Sequence, residues 1–97
     1  MSDATDIRMM ERALELAAQA AGKGEVPVGA VVYRDTTVLA EAANARERDA
    51  DPTAHAEIVA IRGAAQRLGT WRLDGCSLAV TLAVSYTHLT LPTICSV

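Results

Sequence analysis

The run Val28-Gly-Ala-Val-Val-Tyr33 constrains the fold of this chain more than any other segment. It is a continuous apolar stretch of strand length. Four polar residues follow, Arg34-Asp-Thr-Thr37, and then a second strand-like run from Val38 to Ala43. A connection this short cannot carry a crossover, so the two runs are predicted to pair as an antiparallel hairpin.

The rest of the chain is ordered around that hairpin. Ahead of it, Ile7, Met10, Leu14, Ala17 and Ala21 recur at helical spacing, with Arg8, Glu11, Arg12 and Glu15 between them. Asp6 is the expected N-cap, and Gly22 to Gly24 the expected stop. Behind the hairpin, the polar stretch Asn44 to Thr53 reads as a loop. Asp51 or Thr53 can then cap a second helix, with Pro52 suited to its start. Ile58, Ile61, Ala65 and Leu68 share one face of that helix, and Gly69 ends it. Thr70 to Gly75 is a loop, and Cys76 to Leu82 a third short apolar run. Helix, hairpin, helix, strand is the order of an α/β domain whose mixed sheet is layered with helices.

At 97 residues there is room for one small domain, which a partner subunit would help to stabilise. Much of the 51% apolar content is alanine and phenylalanine is absent, so the core is expected to be Val, Ile, Leu and Ala with Trp71 as its one large ring. The net charge is −3, and Lys23 is the only lysine among nine basic residues. Charge therefore gives no support for nucleic-acid binding. Cys76 and Cys95 do not form a C-x-x-C and read as free thiols of a reducing compartment. The first residues lack the apolar core of a signal peptide and no run reaches membrane-spanning length. A cytoplasmic protein is expected.

The chemistry centres on His55-Ala-Glu57, within Asp51-Pro-Thr-Ala-His-Ala-Glu-Ile58. Only one other histidine, His88, exists. On a regular helix, positions two apart lie roughly 200° around the axis and share no face. They can serve one site only if it lies off the N-terminal end, toward which side chains lean and where the dipole favours developing negative charge. On the tripeptide alone, two solvated groups at a helix start remain the plainer alternative.

Glu25-Val-Pro-Val-Gly-Ala-Val-Val32, Asn44 in a loop, Asp51 to Ile58, and Thr70-Trp-Arg-Leu73 before an apolar strand occur here in one order and spacing. Together they resemble the zinc-dependent nucleoside deaminases, most closely bacterial tRNA adenosine deaminases, from about Ile7 to Leu82. Guanine deaminases share much of the Asp51 to Glu57 pattern and are the nearest rival. The resemblance implies a cytidine deaminase-like α-β-α layering with a central mixed sheet, and a hydrolase that turns the wobble adenosine of tRNA into inosine. His55 would be a zinc ligand. Glu57 would take a proton from the zinc-bound water and deliver it to the base nitrogen and the leaving ammonia. Asn44 would contact the substrate nucleoside. Val28, Gly29 and Ala30 would form part of the pocket wall, with Gly29 permitting close backbone approach. Dimerisation with a second copy is implied as well.

The pattern breaks after Thr81-Leu82. Where the family has Glu-Pro-Cys-x-x-Cys, whose thiolates complete the zinc site, this chain reads Ala83-Val-Ser-Tyr-Thr-His88. His88 occupies the slot of the second cysteine and can in principle bind zinc. Ser85 is a poor replacement for a thiolate. All nine basic and all twelve acidic residues lie within the first 82. Residues 1–82 are therefore expected to be the N-terminal part of a deaminase domain that lacks its C-terminal strands and helices. Residues 83–97 are expected to be foreign to the family pattern. An inactive chain, or a non-catalytic dimerisation module, follows from that division. Alternation in the tail permits a strand, which Pro92 would confine to a sheet edge or to its own start.

Overall fold

A computed structural model describes residues 4–24, 27–44, 55–84 and 89–96, with side chains through Thr81. Helix α1 spans Ala4–Gly22, strand β1 Gly29–Arg34 and strand β2 Thr37–Ala43. Helix α2 spans Ala56–Leu68, strand β3 Ser77–Val84 and strand β4 Leu89–Ser96. The strands lie in the order β2-β1-β3-β4, and all three pairings are antiparallel. Since β2 and β3 both run against β1, they run parallel to each other across it, joined through α2.

The predicted hairpin forms. Arg34 pairs with Thr37, so Asp35 and Thr36 alone make the turn, and Asp35 adopts φ 55°. A short polar side chain tolerates that left-handed conformation better than most. The register shifts between Val32 and Tyr33, where Leu39 is the extra residue on β2. As a bulge requires, Leu39 and Ala40 both pack toward the same core.

Strand alternation divides the interior into two layers. Val28, Ala30, Val32, Leu78 and Val80 meet Ala56, Ala60 and Ala64 of α2 on one face. Val31, Tyr33 and Ala79 meet Met9, Ala13 and Leu16 of α1 on the other. This is the expected α-β-α layering. The helical faces, however, differ from those expected. Of the expected face, Ala17 is buried and Met10 partly so, while Ile7, Leu14 and Ala21 are exposed, and α1 buries Met9, Ala13, Leu16 and Ala20 in their place. On α2, Ile58 and Val59 are exposed while Ile61, Ala65 and Leu68 are only partly buried. Small residues win the inward positions because both helices lie very close to the sheet. A Cβ built on Gly29 would meet Leu16 Cβ and the Ala17 nitrogen at 2.8 Å, and one on Gly63 would come within 3.1 Å of Ala40 Cβ.

Trp71 is the second departure. It is 84% exposed, in the loop after α2, and Tyr33 is the large ring of the core. Asp6 is the third. It lies inside α1 rather than capping it, and accepts a 2.6 Å hydrogen bond from the Tyr33 hydroxyl. Both helix ends follow the glycines. Gly69 at φ 72° closes α2, with Gly69 N–H donating to Gln66 O and Thr70 N–H to Ala65 O. Strand β3 runs two residues past its expected end at Leu82, and β4 occupies the sheet edge with Pro92 opposite Thr81. An edge is where a missing N–H is tolerated.

Candidate active site

One end of the sheet collects the residues singled out by the sequence. Gly29, at the start of β1, pairs with Ala43 at the end of β2. One step farther out, Asn44 N–H donates to Val28 O at 3.0 Å. The side chain of Asn44 is buried, and its Oδ1 accepts the N–H of Ala56 at 2.9 Å. Ala56 is the first residue of α2, whose opening N–H groups have no partner within the helix. The buried amide of Asn44 therefore fixes the helix N-terminus to the rim formed by Val28 and Asn44.

His55 is the N-cap of α2, with φ −77° and ψ 136° and no capping hydrogen bond from its side chain. Asp51 and Thr53, the expected caps, lie outside the described residues. The extended backbone of His55 removes the angular objection to a shared site, because His55 stands before the helix begins. Its Nδ1 lies 3.8 Å from Glu57 Oε1, and both side chains are partly exposed. This is proximity without a hydrogen bond. Glu57 is the acidic residue of the first turn, where the helix dipole favours negative charge.

The three expected wall residues divide between the faces of the sheet. Val28 and Ala30 belong to the layer that packs against α2, the side on which His55 and Glu57 stand. Gly29 faces the other way, and the close approach it permits is to the backbone of α1. Thr81 completes this end of the sheet. Its buried Oγ1 accepts the Gly29 N–H at 2.9 Å. A threonine inside the apolar run Cys76 to Leu82 was the available signal for that role. Two open cavities lie elsewhere, one of about 320 Å³ at Ile61 and Trp71 to Asp74, the other of about 390 Å³ around Thr5, Asp6, Tyr33 and Ser77. Neither is lined by His55, Glu57 or Asn44.

The donor set of the described residues does not fit zinc. A catalytic zinc needs three protein ligands. Among the described residues no group of three or more His, Cys, Asp or Glu side chains could hold a metal. His55 offers one imidazole, and Cys76 is buried in the core before β3. His88 lies outside the described residues. No described helix is long and apolar enough to cross a membrane.

The family described as "Cytidine and deoxycytidylate deaminase zinc-binding region" matches residues 3–84. The tRNA-specific adenosine deaminase of Aquifex aeolicus is 50% identical over 70 residues, which cover 72% of this chain and 46% of that one. A solved tRNA:A34 deaminase superposes with a TM-score of 0.75 at 45% identity, covering 80% of this chain and 56% of that one. The guanine deaminase of Bacillus subtilis does so with a TM-score of 0.70 at 40% identity, covering 75% and 47%. The chain thus spans about half the length of the curated relatives it matches. Fold and matched region agree: this chain belongs to the cytidine and deoxycytidylate deaminase family.

Proposed function

We propose that residues 1–82 are the N-terminal part of a zinc-dependent deaminase that converts the wobble adenosine of tRNA to inosine, and that residues 83–97 do not belong to that pattern. The observation that carries this reading is the Asn44 to Ala56 hydrogen bond, which holds His55 and Glu57 at the same rim as Val28. In this reading His55 would contribute one imidazole nitrogen to the metal once the missing ligands are supplied. Glu57, not a ligand, holds and releases the proton that the reaction moves. Asn44, with Oδ1 committed to the helix, turns its amide nitrogen to the nucleoside. Val28 and Ala30 shape the wall, while Gly29 serves from behind by seating α1. The remaining metal ligands lie outside the described residues, and because Ala83 to His88 stands where the family has its cysteine pair, the chain by itself is read as inactive. Its macromolecular partners are tRNA and, for the whole enzyme, a second copy.

A graft tests this reading. Residues 1–82 are exchanged for the matching segment of the Aquifex aeolicus enzyme, and inosine in tRNA is measured. The graft is expected to deaminate tRNA adenosine, while the 97-residue chain does not. Guanine deamination by the graft would instead establish the second reading, which the 0.70 superposition on guanine deaminase favours. A folded graft inactive on both substrates would leave the non-catalytic module.

A further inference from the structure

The pairing of β4 fixes where the second cysteine of this chain stands. Eight pairs join β3 to β4, from Ser77 with Ser96 to Val84 with Leu89, so β4 covers β3 along its whole length. Within that register Cys95 lies opposite Leu78, and Leu78 lies opposite Val32. His55 belongs to a different row. It is tied through Ala56 and Asn44 to Val28, four residues along β1 from Val32. At roughly 3.3 Å per residue, the two rows are about 13 Å apart along the strands. Cys95 is also displaced sideways from β1 by two strand spacings, about 10 Å more. Cys76 is farther along the same way, one residue before Ser77, and buried among Leu39, Leu73 and Leu78. Zinc bonds of about 2.0–2.3 Å, added to the reach of one imidazole and one cysteine side chain, fall short of rows this far apart.

We infer that the pairing of β4 with β3 places Cys76 and Cys95 in rows at the end of the sheet opposite His55, so that neither cysteine shares a metal ion with His55. The inference concerns the same site as the reading above and deepens it. The two cysteines are present in the sequence, but their backbone positions lie in other rows than that of Val28. Bringing Cys95 to the row of Val28 would need a four-residue slip that breaks every β3–β4 pair.

The test uses the full 97-residue chain, reduced, with zinc added and then dialysed. Metal analysis is expected to find less than about 0.1 zinc per chain. Addition of cobalt(II) is expected to give no thiolate-to-metal charge-transfer absorption. Equimolar zinc that is lost in both His55→Ala and Cys95→Ser would overturn the inference. Zinc kept in His55→Ala but lost in Cys95→Ser would support the placement, since Cys95 would then bind without His55. His55→Gln replaces His55→Ala if the latter does not fold, judged by circular dichroism. The graft described above lacks residues 83–97, so its activity can fail or succeed independently of this result.

Discussion

Asn44 Oδ1 accepts the backbone N–H of Ala56 at 2.9 Å, twelve residues ahead and across the end of the sheet. This single buried bond joins the hairpin to the first residue of α2. Removing the acceptor in Asn44→Ala leaves that N–H without its partner and is expected to cost about 1–2 kcal/mol. Asn44→Asp keeps an acceptor oxygen and adds a charge that a helix N-terminus favours, and is expected to recover most of the loss. Urea denaturation of the three proteins measures both effects. Equal losses in the two variants would show that the bond does not hold the helix.

Gly29 has no room for a methyl group. A Cβ there would meet the carbonyl of Ala13, the nitrogen of Ala17 and the Cβ of Leu16. Two of these are backbone atoms, which cannot rotate away. Gly29→Ala is expected to push α1 off the sheet and to cost about 3 kcal/mol, the upper part of the range for overpacking. Thermal unfolding followed by circular dichroism checks this, and an unchanged midpoint would contradict the packing of α1 on β1.

Thr81→Val isolates the hydroxyl from the volume. The Gly29 N–H then loses the Oγ1 that accepts it at 2.9 Å in a buried site. The expected cost is about 1–3 kcal/mol, the penalty of an unmet buried donor. Thr81→Ser, which keeps the oxygen, is expected to lose less than Thr81→Val in the same denaturation measurement.

Arg12 and Glu41 form a two-point ion pair between α1 and β2, at 2.8 and 2.7 Å. The hydrogen bond from Arg12 holds the Glu41 carboxyl below its ordinary range, against a smaller opposing effect of burial. Because the folded value lies below the unfolded one, the stabilisation is present above the ordinary glutamate range and is lost as pH falls through the folded value. The pair is largely solvated, so a double-mutant cycle with Arg12→Ala and Glu41→Ala is expected to give only about 0.5 kcal/mol near neutrality. The coupling should vanish in strong acid and weaken in molar salt. Coupling that survives acid would contradict this account.

The hairpin and both helix stops were legible because local chemistry decides them. A four-residue polar break and three glycines leave few options. The buried faces were less legible. Ile7, Leu14, Ile58 and Trp71 attract attention as large apolar residues, yet alanines take the inward positions of both helices. The deciding quantity is the helix-to-sheet distance, set by Gly29 and Gly63 meeting atoms distant in sequence. At the site, His55 and Glu57 were legible as a pair serving a site off the helix N-terminus, but that His55 is the N-cap rather than a residue of the first turn was not. The extended backbone of His55 places it before the helix. The role of Asn44 as the link to Ala56, and the turning of Gly29 away from Val28 and Ala30, needed the strand register.

The central proposal is that Glu57, held beside His55 at the rim of the sheet, serves as proton carrier once the missing part of a tRNA adenosine deaminase is supplied. Inosine formation by the grafted enzyme with Glu57→Gln tests it most directly. The substitution keeps size and hydrogen-bonding capacity while removing the proton-accepting carboxylate. The account predicts a loss of about 10²-fold or more in the single-turnover rate, with the fold and tRNA affinity unchanged. A Glu57→Gln graft that forms inosine at the rate of the parent graft would contradict it.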